Sequence, residues 1–443
     1  MFIGISNTPR DYAWGSRSAI GELLGRPTSG GPEAELWLGA HDSAPSIVTA
    51  ATPQLAGAAL NDLIARDPAA LLGPGRSRLP FLMKVLAADS ALSLQVHPDL
   101  DQAKAGFARD EAAGTRIGDP GRNYVDDNHK PELIFALSPT FEALAGFRHV
   151  SEARLLLSEM IVSATGDDRE VLSALAERLA AGDPATAGST GSAEHVIREG
   201  MPVSGDTVPH HTGAGNPLAD TVAWLLHGGP DVDRAVAAVT ATAERVSGNS
   251  SFARELETVR LLAQSFPGDP GIVLTLLLNR ISIPQGQALA LDAGVMHAYL
   301  SGVGIEVMSA SDNVLRGGLT AKHVDVDELL AVTRFENTPI PMVRPEVPVD
   351  GAQLFRATAD DFVLLRIDVG DAGAVHGHRL TGAEEVAIPL TGPAIALCVS
   401  GGLTISGAQG SFSLARGDAV FISPDEQRLV FTGSAQVFVT TTP

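Results

Sequence analysis

The sequence predicts a mainly β protein with an α-helical insertion, built as two β-barrels and a helical domain. Short apolar runs bounded by Gly and Pro dominate both ends of the chain. The middle instead carries apolar residues at helical spacing. A length of 443 residues accommodates roughly three domains at about 150 residues each.

Residues 1–150 contribute the runs AELWLGA, PSIV, LPFLMKVL, LSLQV and ELIFAL, read as the first part of one barrel. Residues 151–270 form the helical insertion, with SEARLLLSEMIV, REVLSALAERLAAG, NPLADTVAWLLHGG, DVDRAVAAVTATAERVSG and ARELETVRLLAQSF as helices. A Gly, Ser, Thr and Pro-rich loop at 182–216 interrupts them and carries the pair His210 and His211. Strands are expected to resume at Gly271 with GIVLTLLLNRISI, and residues 271–340 complete the first barrel. Residues 341–443 return to short β-runs with regular turns, which suggests a second closed barrel.

Charge narrows the function. A net charge of −21 disfavours nucleic acid and anionic lipid as partners. No apolar run reaches the roughly 20 residues a membrane helix needs, and the first residues, MFIGISNTPRDYAWGS, do not read as a secretory signal. The single Cys398 suits a reducing compartment, so a cytoplasmic protein is expected. Of 31 Lys and Arg residues only Lys84, Lys104, Lys130 and Lys322 are lysine. Where Arg serves nearly all surface charge, a retained Lys points to a compact ammonium with its own task. Lys104, in the polar run DLDQAKAGFARD, carries no such implication. Lys84 lies in an apolar strand, where an ammonium is costly without a partner.

In SLQVHPD, alternation places Ser93, Gln95 and His97 on one face of a strand. DDNHKPELIFAL adds His129, Lys130 and Glu132, and DAGVMHAYLSG adds His297, with Tyr299 two residues on along the same face. Two histidines, a carboxylate and a neutral oxygen suit zinc with an open coordination position. From spacing alone the signal is weak, since isolated His and Glu residues on strands are more often structural.

The stretches YAWGS, AELWLGAHDSAPS, LPFLMKVLAADSALSLQVHPD, DDNHKPELIFAL, FPGDPGIVLTLLLNR and LDAGVMHAYLSGVGIEVMSASDNVLRGGLTAKHVDV resemble the type I mannose-6-phosphate isomerases. They follow the family's order and span nearly all of residues 7–335. The resemblance implies a cupin (jelly-roll) fold and one zinc ion per chain, held by Gln95, His97, Glu132 and His297. It implies interconversion of mannose 6-phosphate and fructose 6-phosphate through a cis-enediol. It assigns active-site positions to Lys84, Lys130, Arg316, Asp312 and His129, and substrate contacts to Ser93, Tyr299 and Glu306. Lys322 also matches a family lysine, as a charge partner. The partner so implied is a small sugar phosphate, acted on by a monomer or weak homo-oligomer. In the C-terminal barrel His376 and His378 sit two apart, but no carboxylate and later histidine match them, so a barrel without metal is expected there. An iron cupin dioxygenase fits less well, because the glutamine and the lysines suit a phosphorylated sugar better. A non-enzymatic sugar-binding cupin needs neither the pocket lysine nor the HKPE stretch.

Overall fold

The computed structural model describes residues 1–180, 215–246, 248, 250–370 and 383–443. His210, His211, His376 and His378 lie outside the described residues. The chain divides into two compact units. The first comprises Met1–Ala145, Arg280–Leu315 and Ile340–Pro443, and the second Gly146–Asn279 and Arg316–Pro339.

The first unit contains the strands that bear on function. Its organising element is the 13-residue strand His297–Ser309. The half after Gly302 lies between Phe81–Ala88, with Glu306 opposite Lys84, and Glu132–Ala136, with Met308 opposite Glu132. The half before it pairs with Leu94–Val96, placing His297 opposite Gln95, and with Thr140–Phe147, placing Tyr299 opposite Ala143. Glu35–Leu38 extends the sheet beyond Phe81–Ala88, so Trp37 faces Lys84 across the ladder. All these pairings are antiparallel, which leaves one face of each strand for a packed interior.

A β-bulge between Tyr299 and Ser301 decides which residues share that interior. Strict alternation puts His297 and Glu306, nine positions apart, on opposite faces. One extra residue shifts the parity, so His297, Tyr299 and Glu306 line the same side. Gly302 sits in this region at φ +129°, and a Cβ there would lie 2.9 Å from the Phe141 backbone.

The second sheet is organised on the long antiparallel pair Ala394–Ser406 and Arg428–Thr441. Its edge holds a departure from the expected boundaries. The strand Phe2–Ser6, expected with the first barrel, pairs with Ala419–Ile422 of the C-terminal sheet. Ile3 and Ile5 are buried in a core to which both sheets contribute, alongside Met83, Phe135, Phe355, Phe421 and Phe438. Phe135 makes edge contacts at 5.2 and 4.9 Å with Phe355 and Phe438. A short apolar strand pairs wherever an edge and a core accept it, which its sequence does not specify.

The second unit carries the helices Val150–Ser163, Asp167–Arg178, Pro217–His227, Pro230–Arg245 and Ala253–Ser265. Pro217 opens its helix at the first turn, and Asn216 caps it by accepting from the amides of Leu218 and Ala219. The buried Arg148 guanidinium is held by Glu255 at 3.0 Å and by the Leu278 carbonyl. The expected strand at Gly271 begins instead at Leu278. Gly271–Leu274 is helical and Thr275–Leu277 a 3-10 turn. A fully buried apolar run has no exposed face to reveal its period, and the Asp269 carboxylate accepting from the Gly271 amide starts a turn there.

Four further elements were not expected from the sequence. Ala19–Leu24, Leu60–Arg66, Pro68–Leu72 and Leu100–Ala113 are helices within the strand-rich first 150 residues. Asp99 and Gln102 form a reciprocal capping box that starts the last of these helices, and Lys104 is exposed on it.

Candidate metal centre

His97, Glu132 and His297 converge inside the first sheet at 1%, 2% and 0% exposure. The His97 Nε2 lies 3.2 Å from one carboxylate oxygen of Glu132, and the His297 Nε2 lies 3.5 Å from the other. The donor atoms of the three residues all fall within 4.8 Å of one another.

The tautomers follow from the neighbours. His97 Nδ1 donates to the Asn313 carbonyl at 2.8 Å, and His297 Nδ1 to the Val295 carbonyl at 2.8 Å. A carbonyl only accepts, so the neutral rings carry their protons on Nδ1 and leave Nε2 as a bare lone pair. Both Nε2 atoms are buried without a hydrogen-bond partner, beside a carboxylate that also only accepts. Facing lone pairs of this kind repel one another unless a cation lies between them. Two donors bound about 2.1 Å from a tetrahedral zinc stand about 3.4 Å apart, close to the spacing found. The residues fit a divalent metal.

The fourth expected ligand, Gln95, stands directly across the strand pair from His297, on the same face. Asn313 is the outer support. It is fully buried, its side chain bonds the backbone of Val125, Asp126 and Asn128, and its own carbonyl orients His97.

Charged groups surround this centre. Lys130 Nζ is 3.1 Å from Glu132. Lys84 Nζ is 2.9 Å from Glu306 and 3.6 Å from Glu35, and lies over the Trp37 ring at 5.1 Å. The Tyr299 hydroxyl donates to Glu132 at 3.4 Å. Burial pushes the Glu132 carboxyl up, but the ammonium of Lys130 opposes it and holds it well below the ordinary range. Burial, reinforced by Lys130, lowers His97 to about 4, which keeps the ring neutral. Burial also raises Glu306, with Lys84 opposing and Glu132 and Glu35 adding to the rise. Burial disfavours the ammonium of Lys84, yet Glu306 and Glu35 together raise it well above its ordinary value.

The other expected residues are distributed as follows. Ser93 is half-buried just before the strand Leu94–Val96. Asp312 is paired with His41 at 3.1 Å. His129 Nε2 is engaged by Asp361 of the C-terminal region at 2.8 Å and is not one of the three converging donors. Arg316, on the short strand Leu315–Gly318, belongs to the second unit, where burial lowers its guanidinium. Lys322 is exposed in the same unit, with burial and Arg316 lowering its ammonium. Glu35, Trp37, His41 and Asp361 were missed. Glu35 carried a legible signal, a carboxylate in the apolar run AELWLGA, parallel to that of Lys84.

The family described as phosphomannose isomerase type I, catalytic domain, matches residues 2–150. Mannose-6-phosphate isomerase of Shigella flexneri is 35% identical over 97% of this chain and 97% of its own. That of Escherichia coli is 34% identical over the same shares, and that of Rattus norvegicus 29% identical over 96% of this chain and 94% of its own. A crystal structure of mannose 6-phosphate isomerase bound with zinc and yttrium superposes with a TM-score of 0.78 at 31% identity. It covers 100% of this chain and 99% of that one. A mutant of phosphomannose isomerase from Salmonella typhimurium gives a TM-score of 0.80 at 30% identity, with the same coverage.

Proposed function

The chain belongs to the type I phosphomannose isomerases, and from that premise we propose that the buried centre holds one zinc ion and interconverts mannose 6-phosphate and fructose 6-phosphate through a cis-enediol. Gln95, His97, Glu132 and His297 hold the ion. When bound, it polarises the substrate oxygens at C1 and C2. The observation that carries the reading is the pair of buried, partnerless Nε2 lone pairs facing the Glu132 carboxylate.

The chain's own groups supply the rest. Isomerisation moves a proton between C2 and C1 and builds negative charge on the enediolate oxygens. Lys130 and Lys84 bring two buried ammoniums to that charge, each anchored by a carboxylate that fixes its position. Arg316 is the third cation assigned to substrate. A sugar phosphate carries nearly two negative charges at neutral pH, so a chain of net −21 must concentrate positive charge where it binds. Asp312 and His129 act in ring opening and proton transfer, while Ser93, Tyr299 and Glu306 contact the sugar. We read the barrel built around His297–Ser309 as the reacting one, residues 151–270 as the helical insertion, and 341–443 as a barrel without metal. The buried, unpaired Cys398 suits a reducing compartment. We therefore place the enzyme in the cytoplasm, as a monomer or weak homo-oligomer without nucleic acid or membrane partners.

Metal analysis with an assay coupled to fructose 6-phosphate formation tests this. Chelation abolishes turnover, added zinc restores it, and His297→Ala no longer retains the ion. A fully active metal-free preparation refutes it.

A further inference from the structure

We propose that His41 is a positioning residue for the isomerisation: a neutral imidazole that donates its Nε2 proton to Asp312 and fixes that carboxylate, one residue before the Asn313 carbonyl that orients His97. The inference rests on the role given above to Asp312. His41 lies in the turn after the strand Glu35–Leu38, in a segment otherwise read only as β-structure.

The hydrogen bonds determine its tautomer. The Ser43 amide donates to His41 Nδ1 at 3.2 Å, and the Ser43 hydroxyl lies 2.9 Å from the same atom. A backbone amide only donates, so Nδ1 is a lone pair and the ring proton of the neutral imidazole sits on Nε2. That nitrogen is 3.1 Å from Asp312 Oδ2. The ring is itself held edge-on to Trp37, centroids 4.9 Å apart, and Trp37 is tied to Glu35 through its indole N–H at 2.8 Å. Lys84 lies over the other ring system of this stack, the indole. A rigid chain therefore runs from the buried Lys84 pair through Trp37 and His41 to Asp312.

Asp312 needs such support. Its side chain is 38% exposed, and its backbone amide is fixed by the Asp126 carboxylate at 2.8 Å. A partly exposed carboxylate without a donor samples several rotamers, and a displacement of about 1 Å costs on the order of 10²-fold in rate. The charged groups around it are His41, Lys130, Lys84 and Asp126. Burial pushes the Asp312 carboxyl up, but the hydrogen bond from His41, with Lys130 and Lys84, holds it below its ordinary range. Without His41 its protonation moves to higher pH.

The test compares four variants for kcat, KM, the pH profile of kcat/KM, zinc content and thermal unfolding. His41→Phe keeps the ring against Trp37 and removes the donor. It lowers kcat about 10- to 100-fold at unchanged zinc content, with KM little altered, and moves the acid limb of kcat/KM to higher pH. His41→Gln, which retains an N–H donor, recovers most of the turnover. In an Asp312→Asn background, His41→Phe adds no further loss, because both act through one bond. Should His41→Phe not fold, His41→Met replaces it, lacking the donor and filling less space. Wild-type turnover and acid limb in His41→Phe, with Asp312→Asn impaired, overturn this inference alone. Full turnover in Asp312→Asn overturns the role given to Asp312 and the inference with it.

Discussion

Replacing Lys84 by methionine removes the only ammonium within 4 Å of Glu306 and Glu35 among the described residues. The three side chains are 6%, 2% and 6% exposed, for Lys84, Glu306 and Glu35, so solvent cannot take over the lost pairing. Breaking a buried pair by deleting one partner costs about 3–5 kcal/mol, since a desolvated charge is left behind. The double variant Lys84→Met/Glu306→Gln removes that charge as well. Glu35 keeps its bond from Trp37, and most of the lost stability returns. The sign of the pH dependence follows. Burial already raises Glu306, and without Lys84 its carboxyl rises further above the unfolded value. A group raised in the folded state contributes stability below its unfolded pKa and loses it as pH rises through the folded one. The deficit of Lys84→Met therefore widens as the pH rises above the unfolded carboxylate range, about 4.3, toward the raised folded one. Urea unfolding followed by Trp fluorescence measures it, because Trp37 lies directly under Lys84. A single variant within about 1 kcal/mol of wild type, well below the cost of an orphaned buried charge, refutes the reasoning. So does a double variant no more stable than the single.

Lys130→Ala lowers turnover by two or more orders of magnitude while zinc stays bound, because Lys130 is buried against Glu132. Lys104→Ala on the exposed helix changes nothing measurable in the same coupled assay. Metal-free protein loses stability as pH falls from about 6.5 toward about 4, where buried His97 finally titrates. A neutral His favoured in the folded state gives this sign, and Glu132, held low by Lys130 against the upward push of burial, acts in the same direction at lower pH. Urea midpoints across that range check it, and bound zinc delays the loss to lower pH by competing for the same nitrogen.

The sequence made the first sheet legible wherever a residue broke its local pattern. Lys84 in an apolar strand and the alternation Ser93, Gln95, His97 both marked interior positions, and Lys84 and His97 are indeed buried. Glu35 obeyed the same rule and was overlooked. What the sequence could not display was connectivity at a distance. Phe2–Ser6 reads like any short strand, and its place beside Ala419–Ile422 depends on an edge more than 400 residues away. His41 and Asp361 reach their partners across 271 and 232 positions, so nothing near them in the chain announces a role.

The bulge between Tyr299 and Ser301 breaks the alternation within the longest strand of the first sheet. Period-two reasoning groups His297 with Tyr299, Ser301 and Val303, and assigns Glu306 to the opposite face. The inserted residue instead puts Glu306, which stands opposite Lys84 in the unbroken register after Gly302, on the same side as His297. That single offset joins the metal-binding half of the strand to the half that carries the buried ion pair. It also sets Tyr299 beside Glu132 and Glu306, and burial first, then these two carboxylates, raises the phenol well above its ordinary range. The phenol therefore stays protonated and serves as a hydrogen-bond donor between the two halves. Removing the bulge by deleting one residue would keep Glu306 opposite Lys84 but put that pair and His297 on opposite faces.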